Sequence, residues 1–482
     1  MIPNSNMRIR SIQLGSAVAM PSLARSHWFN EAGLGRSPRT RLTGRQRADV
    51  AIVGGGFVGL WTALAIKEAA PAAAVAVLEQ DVCGGGASGR NGGFAMSWWP
   101  KIGTLLGISD RSEALRLAVE SEGAVSALGK FCAEHGIDAH FTQRGWMWTA
   151  TNDAQQEAWA GTLAMCQRLG RTPFKSLTPR EVAQRSGSRF HLAGVIEPSN
   201  ATVQPAALVA GLRRVALSKG IQIFERSRVD SLQVGPPAVL VTAEGELSAS
   251  TVVIANNAWA VAIPELARLI TPVSSAIVVT EPIPDRLKQI GWTGGEAITD
   301  SQLMVGYYRT TRDGRIVYGK GTGAIEAGRR IGNTFSRDPK ALELTEADFR
   351  RAYPELSNVA IADKWSGPVD RTFDSLPVFG RLKAADHICY GVGWSGNGVA
   401  PSYIGGKILS SLALGVHDEW SSCALVNRNC RTFPPDLIRF IGGNVVRNAV
   451  LRKERSEAQG VKPAWLDVRL ASLAPSGLED KS

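Results

Sequence analysis

The 482 residues are 44% hydrophobic and 20% charged, the balance of an ordinary globular chain too long for one hydrophobic core, so two domains or one large domain with a second layer is expected. The net charge of +11 sits mostly in residues 1–48, where arginines 8, 10, 25, 36, 39, 41, 45 and 47 face Glu31 alone; the rest is close to neutral, which with no basic motif argues against a nucleic-acid partner. Six scattered cysteines and six scattered histidines, without CxxC, HExxH or zinc spacing, argue against a metal site and suit reduced thiols in a cytoplasmic protein.

The Arg-rich, acid-poor start could be an organelle transit segment or a mature arm. RSHWFNEAG (25–33) carries Trp28 and Phe29, which gain from burial, so residues 1–48 are read as an arm packed on the first domain; GSAVAM (15–20) only faintly suggests a cleaved leader, and whether residues 1–25 are retained stays open.

DVAIVGGGFVGLWTALAIKEA (49–69) begins as a β-branched run, passes through glycines and continues at helical spacing. It reads as strand, turn and helix; its glycines and Lys67 speak against a membrane span. AVAVLEQ (74–80) adds a second strand and completes a βαβ unit. Gly54, Gly56 and Gly59 form GxGxxG at the strand-to-helix turn, allowing the turn itself, the approach of backbone N–H groups to a pyrophosphate, and close helix packing. Glu79, 20 residues after Gly59, is placed to accept hydrogen bonds from a ribose, which leaves NAD and FAD open and disfavours NADP.

Seven residues later GASGRNGGFAM (86–96) surrounds one arginine and one asparagine with glycines. A second loop able to cradle a ligand, still within the first βαβ unit, suits a cofactor running from ribose through pyrophosphate to a flavin, and so favours FAD over NAD.

Helical patterns follow at 111–136, 153–170 and 205–220, then strands over 220–234 and 250–259, antiparallel strands between 273 and 320 with a turn at RDG, and strand, glycine turn and helix over 387–415. FPPDLIRFIGGNVVRNAVLRKERSEAQG (433–460) is an amphipathic basic helix, expected to dock on the body without stable membrane insertion. The expected fold is α/β (α+β overall): a Rossmann-like FAD/NAD(P)-binding domain assembled from 49–100, 200–260 and 361–415, an inserted substrate domain on an antiparallel sheet from 101–199 and 261–360, and a helical extension over 416–482.

DVAIVGGGFVGLWTAL, Glu79, GASGRNGGF, the strand ending VVIANNAW and the late GVGWSGNGVAPSYIGGKI together resemble the FAD-dependent amine oxidases of the D-amino acid oxidase, sarcosine oxidase and glycine oxidase superfamily, and most of all its gamma-glutamylputrescine oxidase-like members. The resemblance implies that Ser88, Gly89, Arg90, Asn91 and Gly92 wrap the pyrophosphate and ribityl chain of FAD. It implies that a strand containing Val229 meets the adenine, with Ala255 bordering the nucleotide. Ser395, Gly396, Asn397 and Gly398 would put a helix N-terminus by the pyrimidine end of the flavin, where the dipole favours the anionic reduced ring; many relatives have His where Asn397 stands. FAD is expected to be non-covalent, with Cys83 and Cys389 badly placed for a bond and Cys389 a buried strand residue.

On the substrate side, Tyr307, Tyr308 and Arg309 lie on one strand of the inserted sheet, so Arg309 shares the face of Tyr307 and only one tyrosine can face the flavin. They read either as an aromatic wall with a cation or as core tyrosines beside a paired arginine. Phe94, Trp98, Trp99, Trp365 and Trp394 could form an aromatic box for an amine, although each taken singly reads more simply as core. Sarcosine oxidase-like enzymes use a lysine near the flavin for oxygen activation, which draws notice to Lys320 in YGKG, but its register does not place it securely there. The expected activity is oxidation of the C–N bond of a primary or secondary amine or amino acid to an imine, with O2 as acceptor giving H2O2. An amine dehydrogenase serving a quinone or protein acceptor, and a non-catalytic flavin-binding assembly factor, are the alternatives; an oligomer is possible.

Overall fold

The computed structural model describes residues 10–14, 25–36, 39–328, 330–383 and 385–477, and the GSAVAM stretch lies outside them. Strand Gly44–Val53 is the spine of the first sheet; it begins five residues earlier than the hydrophobic run suggests, because its exposed first half already pairs with Gly245–Ile254. Val75–Leu78 and then Gln222–Phe224 add in parallel on its other side, and Ala385–Val392 adds in parallel to Gly245–Ile254. The inner ends of these strands are buried on both faces, as parallel sheets require. Helix Phe57–Ala69 covers one face and lies against helix Pro401–Leu414, where Gly406 lets the two backbones meet at Trp61.

The expected strand over 220–234 is broken in two. Gln222–Phe224 stays in the parallel group, Arg226 turns the chain at φ 54, and Ser231–Val234 joins an antiparallel meander that also takes Arg10–Gln13 from the N-terminal arm. Val229 therefore lies in a connecting stretch and not in a strand.

The second sheet runs in the order Ile361–Arg371, Thr271–Thr280, Ile316–Ala324, Gly306–Thr310, Ala297–Thr299, Trp146–Ala150, Ala193–Glu197, Lys175–Leu177. It is antiparallel except where Ala297–Thr299 pairs with Trp146–Ala150. The boundary expected at 361 is corrected: Ile361–Arg371 pairs along its length with Thr271–Thr280, and the chain returns to the first sheet only at Val378–Leu382.

The arm acts as a wedge. Ser26 caps the short helix His27–Glu31, and Trp28 and Phe29 bury among Leu34, Val82 and Ala206 of the first domain and Ile277, Val317 and Trp365 of the second sheet. At the other end, helix Asp436–Ala458 docks through Arg439, Ala449, Val450 and Glu454 while Leu437, Ile441 and Val445 stay exposed. Among the described residues no helix is long and apolar enough to cross a membrane.

Candidate active site

A cavity of about 590 Å³ runs between the two sheets. Its first end is built by the strand-to-helix turn. Gly54 holds φ +115, and a Cβ there would stand 2.5 Å from the Ala255 carbonyl oxygen, so only glycine lets the two strand ends converge. Gly59 does not line the cavity; it backs onto the Gly54 carbonyl and lets the helix close on the turn. Glu79 faces the cavity with each oxygen braced, Oε2 accepting from Gly55 N at 2.8 Å and Oε1 from Asp81 N at 2.9 Å. Burial pushes its carboxyl up from 4.5 to about 7 against these two donors. Ser88 Oγ accepts from Phe57 N at 3.0 Å and so ties the second glycine loop to the first turn of the helix.

That second loop is organised differently from the expectation. Arg90 is 2% exposed and gives Nε to the Gly85 carbonyl and Nη1 to the Ser366 carbonyl, while the Arg90 carbonyl accepts from Trp365 Nε1 at 2.8 Å. Asn91 spends Nδ2 on the carbonyls of Ala87 and Ser88 and Oδ1 on Gly93 N. The loop enters the interior, so its carbonyls need donors, and these side chains satisfy them. Ser26 Oγ and Trp28 Nε1 do the same for Gly89 and Asn91. Ser88, Gly92 and the backbone are left to face the cavity, together with Arg90 Nη2, which is buried without a partner among the described residues. Gly89 is not part of the lining.

Two lining residues escaped the sequence reading although their letters lay in VVIANNAW. Asn256 and Asn257 each hold a buried Oδ1 without a partner among the described residues, and Asn257 gives Nδ2 to Asp370 at 2.7 Å. Asp370 also takes Gly393 N at 2.6 Å and Trp394 N at 3.1 Å, and burial raises it to about 7. It thereby orders the WSGNG turn, in which Ser395 sits at φ 53. Ser395, Gly396 and Gly398 line the cavity; Asn397 instead turns Nδ2 to the Ser97 carbonyl, and the helix begins only at Pro401. With Gly54 and Gly56 leaving space, Val229 and Ala255 supplying apolar surface, and orphaned polar atoms on Asn256, Asn257 and Arg90, this end has the shape and donor set for a dinucleotide.

The middle of the cavity is Tyr307. Its ring packs edge-on to Phe94 at 5.9 Å and lies over Gly92 and Gly319, and its hydroxyl shares a hydrogen bond with Ser275 Oγ at 2.7 Å. Tyr308 points the other way, stacked on Tyr318 at 4.8 Å and against His191, whose buried ring is pushed down to about 3. Arg309 shares the face of Tyr307 but is absent from the cavity wall, being committed to two backbone carbonyls. Trp394 lines the cavity and packs its ring on Phe379. Of the suggested aromatic box only Phe94 and Trp394 line the space; Trp98, Trp99 and Trp365 are core. Lys320 lies on the opposite face of the sheet, paired with Asp348 at 2.6 Å and bonded to Gln302 Oε1.

At the far end the strand Ile316–Ala324 offers Gly321 and Gly323 toward the cavity, so the sheet face is bare and its volume is left to a ligand. The alternating glycines of GKGTG were the available signal in the sequence. Helix Asp436–Ala458 forms the opposing wall. Among the described residues no group of three or more His, Cys, Asp or Glu side chains could hold a metal ion.

A protein-family model described as FAD dependent oxidoreductase matches residues 49–412. The gamma-glutamylputrescine oxidoreductase of Escherichia coli K12 is 28% identical over 404 residues, 83% of this chain and 89% of that protein. A probable oxidoreductase OrdL of Rhizobium meliloti is 30% identical over 78% of this chain and 86% of its own length. Among solved structures, glycine oxidase from Geobacillus kaustophilus superposes with a TM-score of 0.63 at 21% identity, covering 77% of this chain and 96% of that one, a likeness of fold.

Proposed function

The chain belongs to the family of FAD-dependent oxidoreductases, and from that premise we propose that it oxidises the C–N bond of a primary or secondary amine or amino acid to an imine, with O2 as electron acceptor. The observation that carries the reading is the continuity of one cavity from the Glu79 end through Tyr307 to the bare glycine face. FAD, when bound, supplies the acceptor for the hydride removed from the carbon beside nitrogen.

The chain's residues bind and orient. Glu79 would accept the ribose hydroxyls, Gly54, Gly56 and Ser88 would accommodate the pyrophosphate at the helix N-terminus, and Arg90 Nη2 with Asn256 and Asn257 would find partners on the cofactor. Tyr307 and Phe94 would form the wall that positions the substrate carbon, and burial holds the Tyr307 phenol well above its usual range, so it stays neutral. An amine must be unprotonated to give up hydride. Arg371, Arg431, Arg439 and Arg447 line the cavity, whereas its two acids, Glu79 and Asp370, are engaged by backbone N–H groups; this balance disfavours an ammonium ion.

The test is a visible spectrum of the purified protein, followed by anaerobic mixing with a panel of primary amines, secondary amines and amino acids. The reading expects a yellow protein bleached by some of the panel and restored by O2. A flavin that no amine bleaches overturns it, and bleaching that O2 does not reverse moves the acceptor to a quinone or protein.

A further inference from the structure

The C-terminal helix has a second face, turned away from the body. By the 3.6-residue period Leu437, Ile438, Ile441 and Val445 share one side of helix Asp436–Ala458, and each is between 47% and 68% exposed. Asn448, Arg452 and Arg455, all exposed, continue that side toward the C-terminus. The outward face is therefore apolar in its first half and basic in its second. The three acids of the helix lie off it. Asp436 pairs with Arg439 and accepts from Gly328 N, Glu454 is buried and accepts from Met304 N, and Glu457 pairs with Lys453.

Neighbouring elements extend this face. Arg452 pairs with Asp467 at 2.6 Å and so ties on helix Trp465–Ala471, whose Trp465 is 72% exposed and whose Leu466 is also exposed. Ile438, Gly442 and Leu473 are exposed and also line the cavity, whose far end thus reaches the surface at the edge of the apolar stripe. Over residues 428–477 nine Lys and Arg stand against four Asp and Glu. A contiguous row of exposed branched side chains marks a contact surface, and the charge around it selects the partner. A second copy docked through the same face would add like cations, with no acid on the face to meet them. An anionic surface has the complementary sign.

We propose that this face seats the protein on a lipid surface rich in anionic headgroups. Leu437, Ile438, Ile441 and Val445 enter the boundary between headgroups and acyl chains, and Arg452 and Arg455 lie among the phosphates. The contact is peripheral, because the other side of the helix is held to the body by its own polar bonds. It is independent of the amine oxidation proposed above.

The test is co-sedimentation of the FAD-loaded full chain with two kinds of vesicle, phosphatidylcholine alone and phosphatidylcholine with about one-quarter phosphatidylglycerol, at low and high salt. Sedimentation velocity of the same protein without lipid reports its oligomeric state. The expectation is binding to the anionic vesicles that is at least about tenfold tighter than to the neutral ones and weakens with salt. The double variant Leu437→Gln, Ile441→Gln lowers that binding at least about tenfold, and Arg455→Gln lowers it about three- to fivefold. Melting temperature and flavin content stay at the parent values, because the substituted side chains are exposed and line no part of the cavity.

Failure to bind anionic vesicles overturns the proposal, as does equal binding to neutral ones. Binding that the double variant leaves unchanged overturns it too, and moves the lipid contact to another basic segment such as the Arg-rich first 48 residues. A dimer in solution that the double variant dissociates assigns the face to a second copy instead.

Discussion

Arg309 donates through Nε to the carbonyl of Gly92 at 2.8 Å, and so joins the second sheet to the glycine loop of the first domain; its Nη2 reaches the Val203 carbonyl at 2.6 Å. Burial lowers this guanidinium to about 10, which leaves it charged at neutral pH. Arg309→Met removes both charge-assisted bonds and leaves two carbonyls unpaired in the interior. We expect a loss of about 3 kcal/mol or more in urea unfolding and a lower flavin-to-protein ratio. Unchanged stability would show that the link between sheet and loop is dispensable.

Trp28 supports the same loop from the arm. It is 1% exposed, donates Nε1 to the Asn91 carbonyl at 3.0 Å and lies under the Arg309 guanidinium at 5.1 Å. Trp28→Ala should cost about 3–5 kcal/mol, the range for emptying a large aromatic site. Trp28→Phe keeps most of the packing and loses the bond, and should cost about 1–2 kcal/mol. Thermal unfolding of the two variants checks the ordering.

Glu197 gives a pH signature. Its Oε1 accepts from Ser97 Oγ at 2.7 Å and Ser199 Oγ at 2.9 Å, Oε2 is buried without a partner among the described residues, and burial raises the group from 4.5 to about 7. A carboxyl whose folded value lies above its unfolded one favours the fold fully below 4.5, and that contribution is lost as pH rises through about 7. Cofactor-free protein should therefore lose stability between these values, and Glu197→Gln should flatten that loss by up to about 3 kcal/mol. Glu79 and Asp370 shift in the same direction, so the difference between parent and variant is the quantity to measure by denaturant unfolding across pH. A variant with an unaltered pH slope refutes the assignment.

Gly321 tests the bare sheet face. A Cβ there would meet Val305 only at 3.6 Å, an ordinary contact, and its φ is not positive. Gly321→Ala should be tolerated, whereas Gly321→Leu should fill the substrate end and lower kcat/KM at least tenfold while FAD stays bound. Loss of flavin in the leucine variant would place this glycine at the cofactor instead.

Much of the end of the cavity proposed for the nucleotide was legible because its turn and its acid are local in the chain. A turn needing φ +115 at Gly54 demands glycine there, and the acid at Glu79 follows at the distance a βαβ unit sets. The alternation of a strand was enough to put Tyr307 and Arg309 on one face and Tyr308 on the other. Alternation could not say what Arg309 would reach for. That depended on which carbonyls two distant segments, ending at Gly92 and Val203, would bring beside it without donors.

The same reason explains why Arg90 Nε and Nη1 and the Asn91 amide brace the loop and its neighbours, leaving only Arg90 Nη2 unpaired toward the cavity among the described residues. By itself the amino-acid order determined the two dinucleotide-type segments, the inserted sheet and the family's cofactor, since each is written in residues near one another. Tertiary structure decided the end of the cavity that we propose for the substrate. Phe94, Tyr307, Gly321 and Arg447 come from four separate stretches, and only the docking of the C-terminal helix on the second sheet puts them around one space. A buried polar group takes whichever partner the packed fold leaves unsatisfied, and no local pattern records that choice.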